Sequence, residues 1–92
     1  MMREFKEAIV QCTDMPEEMQ YFAVDCAAIV LSYEKSLKKA ADYVKKEFDK
    51  SYEPGWNCII GEQFGSYVSH APKTFIYFFL RDTAVLLYKA PP

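Results

Sequence analysis

Glycine is scarce, and paired cysteines, histidine clusters and long apolar runs are missing altogether. Each absence closes off a class of protein. The three glycines, Gly55, Gly61 and Gly65, stand singly in turn or strand contexts, so nothing here forms a phosphate-cradling loop. The one histidine, His70, has no G-x-S-x-G elbow or other nucleophile signature to go with Ser66, Ser69 or a more distant serine. Cys12, Cys26 and Cys58 are odd in number, far apart and without a C-x-x-C pair. They read as reduced thiols rather than a disulfide framework, and with His70 they lack the paired ligand spacing of a zinc module. A Cys58–His70 nucleophile is formally possible, but a buried inert thiol and a strand-end histidine is the simpler account. No run reaches the ~18 apolar residues of a membrane span, and the longest, Thr74 to Leu80, is strand-length. The opening MMREFKEAIV holds four charges and no apolar signal core. A soluble, intracellular, non-catalytic chain without metal or cofactor is expected.

What is present points to a packed core. A hydrophobic fraction of 51% and an aromatic fraction of 16% exclude intrinsic disorder. The 92 residues make one domain, 1–92, able to bury about two-thirds of its unfolded surface. The formal net charge of −2 argues against a polyanion binder. Lys35, Lys38, Lys39, Lys45, Lys46 and Lys50 do cluster, but Glu34, Asp42, Glu47 and Asp49 interrupt them. Intrahelical pairs such as Asp42 with Lys46 make this a solvated helix face, so no nucleic acid is expected.

The element signals run in a clear order. Residues 5–12 suit a short edge strand. Asp14 and Glu17 have capping-box spacing, with Pro16 in the first turn. Met19, Phe22, Ala23, Cys26, Val30 and Tyr33 then form one apolar stripe on a helix of ~17 residues. A second helix follows Ser36 as N-cap, with Leu37, Ala40, Ala41, Val44 and Phe48 as its stripe. Tyr52-Glu53-Pro54-Gly55 ends it. Trp56–Gly61, Phe64–His70, Phe75–Leu80 and Thr83–Lys89 read as strands, with Arg81-Asp82 as a short hairpin connection. The pattern is α+β: a strand, two helices, then a four-stranded antiparallel meander.

Two strands carry the most information. Phe75, Tyr77 and Phe79 oppose Ile76, Phe78 and Leu80, while Ala84, Leu86 and Tyr88 oppose Val85 and Leu87. Both faces are apolar, as in a sheet covered on both sides. Two helices can cover one face, and a second copy is the simplest cover for the other, although helices and loops of the same chain could cover both. Phe64 to His70 carries Gly65 within it and small hydroxyls at Ser66 and Ser69. Such a strand can receive an extended peptide by main-chain pairing, although an ordinary bulged strand fits the segment too.

The stretches DMPEEMQYFAVDCA (14–27), KKEFDKSYEPGWNCIIGEQFGSYVSH (45–70), FIYFFL (75–80) and AVLLYK (84–89) resemble the smallest class of cytoplasmic dynein light chains across essentially the whole chain. The resemblance implies a two-fold dimer in which the strand Phe64 to Ser69 crosses into the partner's sheet. It implies two grooves, each between that strand and the second helix of the other protomer. Disordered partners carrying Thr-Gln-Thr-like motifs would bind there as an added strand, the dynein intermediate chain among them. Groove positions carried over are Lys38, Phe64, Gly65, Ser66, Tyr67, Val68, Ser69, His70, Phe75, Tyr77 and Ala84. Asn57, Tyr67 and Ser69 fall at the dimer interface. The implied role is a homodimeric hub in the dynein motor complex, cytoplasmic and cytoskeleton-associated, with no membrane partner. A fixed subunit of an axonemal or cortical assembly is the alternative. The sequence departs from the family pattern at Leu37, Gln11, Cys12, Glu62, Gln63, Asn57 and Ala90.

Overall fold

The structure, a computed structural model, describes residues 3–5, 8–62 and 69–91. Among these residues the order is β1 (Arg3–Phe5), β2 (Ala8–Thr13), α1 (Glu17–Leu31), α2 (Leu37–Tyr52), β3 (Trp56–Gly61), β4 (Ile76–Leu80) and β5 (Thr83–Lys89). The strands form one sheet, antiparallel at every described pairing, in the order β1-β2-β4-β5-β3. This is the α+β arrangement that the sequence implies, helices segregated from sheet. Its strand order is not a simple meander, because β3 lies at an edge beside β5 and β2 enters between β1 and β4. For the same reason β2 is not the edge strand: β1 flanks it. The expected strand Phe64–His70 falls outside the described residues except for Ser69 and His70, which are irregular.

α2 begins and ends as its sequence dictates. The Ser36 hydroxyl accepts from the Lys39 N–H at 3.2 Å, a side-chain cap on one of the four donors a helix start leaves unpaired. At the other end, Glu53 (φ 74°) and Gly55 (φ 119°) turn the chain through left-handed conformations. A Cβ on Gly55 would also come within 3.2 Å of the Lys89 side chain. Asp49 ties this turn down by accepting from the Gly55 and Trp56 N–H groups at 3.1 and 3.0 Å.

α1 starts differently from its capping-box signature. Pro16 is the N-cap and offers no side-chain bond. Asp14 is engaged elsewhere: its two carboxylate oxygens accept from the Lys73 and Phe75 N–H groups at 2.9 and 3.0 Å. It therefore straps the loop before β4 to the start of α1. The helix spans 15 residues and ends at Leu31, so Tyr33 lies beyond it and is 63% exposed rather than in the core.

The core lies between the helices and one face of the sheet. Ala23, Cys26, Ala27 and Val30 of α1 and Ala40, Val44 and Phe48 of α2 meet Val10, Trp56, Ile60, Ile76, Phe78, Val85 and Leu87 of the strands. Phe48 is its aromatic centre, with ring centroids 5.1 Å from Phe22, 5.3 Å from Tyr52 and 4.8 Å from Trp56. Burial of one such ring stabilises the fold by ~1.5–3 kcal/mol.

Candidate partner-binding site

The strand register assigns every β-residue to one of two faces. Ala8, Val10, Ile76, Phe78, Val85, Leu87, Cys58 and Ile60 look inward to the helices. Ile9, Cys12, Tyr77, Phe79, Ala84, Leu86, Tyr88, Asn57 and Ile59 share the other face, which no described helix covers. Apolar residues dominate it. Ile9 and Ile59 are 37% and 48% exposed. Tyr77 and Phe79 pack edge to face at 5.4 Å, and Ala84 and Leu86 beneath them are fully buried. Alternation places these residues together, because successive strand residues point to opposite faces. The register shift between Val10 and Cys12 keeps Cys12 on the outer face opposite Tyr77.

Of the anticipated groove residues, Tyr77 and Ala84 lie on this outer face, as does the interface candidate Asn57, which is exposed. His70 and Phe75 form a corner at its rim, their rings stacked at 4.8 Å. His70 Nδ1 is 2.9 Å from the Ala71 carbonyl and 3.8 Å from the Asp14 carboxylate. Ser69 next to it is exposed. Lys38 belongs to the other layer, exposed on the first turn of α2. Phe64, Gly65, Ser66, Tyr67 and Val68 lie outside the described residues. A separate open cavity of about 960 Å³ occupies the hairpin end of the sheet, with Ile9, Leu37 and Phe79 as apolar wall and Lys35, Glu62 and Arg81 among its charged residues.

Burial pushes the Cys58 thiol up to about 12, so it is no nucleophile at neutral pH. Burial, with the negative charges of Glu47 and Asp25, raises Cys26 to about 11. Among the described residues no three His, Cys, Asp or Glu side chains gather as a metal site. No helix among them is long and apolar enough to cross a membrane. Three of the five lysines of α2 pair along their own helix, Lys46 with Asp42 at 2.9 Å, Lys50 with Glu47 at 3.5 Å, and Lys45 with Asp49.

Two contributors were not singled out by sequence. Ile59 shares the outer face with Asn57, and its signal was the two-residue period of Trp56–Gly61. Asp14 positions the Phe75 corner, and no local signal could reveal a partner so distant in sequence.

The domain is two-layered and α+β, and no described helix covers the outer face of its sheet. The chain belongs to the dynein light chain type 1 family, whose model matches residues 7–90. The dynein light chain-like domain of the Fasciola hepatica calcium binding protein FhCaBP2 has the same fold, with a TM-score of 0.82 over 97% of each chain at 20% identity. The DLC like domain of CsTAL3 is similar, with a TM-score of 0.76 at 20% identity, covering 92% of this chain and 94% of that one.

Proposed function

We propose that this protein is a non-catalytic homodimeric hub, a single domain that binds short linear motifs of disordered partners by β-strand addition. The observation that carries the reading is the outer sheet face. Ile9 and Ile59 are exposed at its two sides and Tyr77 and Phe79 are half-covered, which leaves apolar surface flanking the buried Ala84 and Leu86. A second copy related by a two-fold axis covers it with the same residues, and the strand 64–69 crosses between the copies. Lys38 of one protomer and the receiving strand of the other then bound a groove, with Phe75, Tyr77, Ala84 and His70 shaping its floor. Family membership supports this reading, in which the dynein intermediate chain is among the partners and the protein works in the cytoplasm on the cytoskeleton.

Calorimetry with one-motif and two-motif Thr-Gln-Thr-like peptides tests it. A single extended peptide gains modest affinity once its ordering cost is met. Tethering two motifs should raise apparent affinity by ~10²–10⁴ if two grooves lie on one dimer. Equal affinities across several linker lengths would refute paired grooves. Val68→Pro, which deletes a main-chain donor in the receiving strand, should abolish docking or strand exchange.

A further inference from the structure

The two helices meet water in different ways. α2 is one-sided: Ala40, Ala41, Val44 and Phe48 are buried, and Lys45, Lys46 and Lys50 pair with acids of the same helix. α1 is apolar nearly all round. Its inner side buries Ala23, Val24, Cys26, Ala27 and Val30. Its outer side nevertheless presents Tyr21 at 51% and Ile29 at 54% exposure, and Tyr33 follows at 63%. A helix of this composition is ordinarily covered on both sides.

Charge and shape say what covers it. Glu17, Glu18 and Asp25 are the only charged residues of α1, all exposed and all acidic. Among the described residues, neither Glu18 nor Asp25 has a basic partner. A cleft of about 390 Å³ opens between the end of α1 and the β4–β5 turn, with Ala28 and Ser32 on its helical wall, Leu31 and Leu80 as apolar lining, and the oppositely charged Arg81 and Asp82 with Thr83 on the turn. Ala28 and Ser32 are one turn apart beside Ile29, so the cleft and the exposed face are one continuous surface. No strand edge borders it among the described residues, so it offers no row of main-chain donors and acceptors. An occupant must therefore satisfy its own backbone while burying apolar side chains, which a helix does.

We propose that the outer face of α1, with its cleft, docks an amphipathic helix whose apolar stripe is flanked by lysine or arginine. Tyr21 and Ile29 stand about 12 Å apart along the axis and Tyr33 lies ~6 Å further, which fits apolar anchors on a partner of some four to five turns. Asp25, between Tyr21 and Ile29, and Glu18 on the same side receive the basic flanks. A second copy of this chain would set acidic face against acidic face, which electrostatic complementarity disfavours. The surface belongs to the helical layer, on the opposite side of the molecule from the outer sheet face.

The probe is a synthetic 18-residue helical peptide with a leucine stripe and lysine flanks. Its controls are a version with glutamate flanks and a scrambled version of the lysine peptide. Amide NMR of the full chain should place the lysine peptide on residues 18–33 and 80–83. Both controls, and the variants Ile29→Glu and Tyr33→Glu, should bind at least about tenfold more weakly. The substituted residues are exposed, so the melting curves of the variants should match the parent. Equal binding by the lysine, glutamate and scrambled peptides would overturn the proposal. So would shifts confined to the outer sheet face, or displacement of the helical peptide by a saturating extended motif peptide. If Ile29→Glu instead changes the sedimentation of the chain alone, a second copy occupies the face and the proposal fails.

Discussion

The two faces of the sheet are nearly equal in hydrophobicity and opposite in fate. The inner face is closed by α1 and α2, and its large side chains, Trp56, Ile76 and Phe78, are at most 2% exposed beneath Phe48 of α2. The outer face carries Ile9, Ile59, Tyr77 and Phe79 and is closed by nothing among the described helices. The difference separates two uses of apolar surface. Inside, it specifies the fold of one chain; outside, it is the surface on which the proposed dimer would form.

The strongest way to break this contrast is to truncate one large apolar side chain on each side. Phe48→Ala should cost ~3–5 kcal/mol, as a truncated core aromatic leaves a cavity among Phe22, Tyr52 and Trp56. Ile59→Ala should cost less than about 1 kcal/mol in the isolated protomer. Urea unfolding at low protein concentration measures both, and similar losses would mean that the faces are equally structural.

Ile59→Lys sharpens the same point in assembly. An unpaired charge buried at a subunit interface should weaken a dimer at least about tenfold while leaving the protomer folded. Sedimentation should then shift toward 10.7 kDa. An unchanged dimer would remove the outer face from the interface.

Asp49 probes the inner side. Asp49→Asn should cost ~1–2 kcal/mol, because the side chain holds the Gly55 and Trp56 N–H groups together and pairs with Lys45. Burial alone would raise its pKa, but the Lys45 bond and the backbone N–H groups outweigh that and hold it below the usual carboxylate range. The sign follows: the stabilisation is complete above the unfolded pKa of ~3.9 and is lost as pH falls through the lower folded value. Acid titration of stability should therefore be flatter in Asp49→Asn than in the parent.

The smallest effect concerns acid and assembly. Asn57 is exposed on the outer face and cannot titrate. In Asn57→His, an imidazole at a desolvated interface resists protonation, so its pKa falls below ~6.5 and the dimer weakens as pH drops through that value. The parent should persist to lower pH, and coincident dissociation profiles would place position 57 outside the interface.

How much of this was legible depended on how local the cause is. α2 was readable because its cap, stripe and stop all lie within the stretch from Ser36 to Gly55. α1 was harder: a helix apolar on most sides gives no single phase, so Tyr33 joined the stripe while buried Gln20 and Val24 did not. Asp14 looked like a cap because Glu17 follows it at the right spacing, but two N–H groups 59 and 61 residues away claim its carboxylate. The same distance hid the strand order. β1 escaped notice because Arg3–Phe5 becomes a strand only by pairing with β2. On the outer face, the alternation of β4 and β5 was visible from sequence, whereas the contribution of Ile59 required the pairing of β3 with β5.

The Asp14 strap also bears on how the chain is made. On the ribosome β2 emerges early, yet its neighbour β4 and the N–H groups that Asp14 holds are synthesised near the end. The strand and its carboxylate must wait while both helices are completed, since long-range pairing cannot form before its second half exists. The native topology of this domain thus waits on its β4–β5 hairpin. Until then β2, an interior member of the finished sheet, stays open on the side that β4 will take.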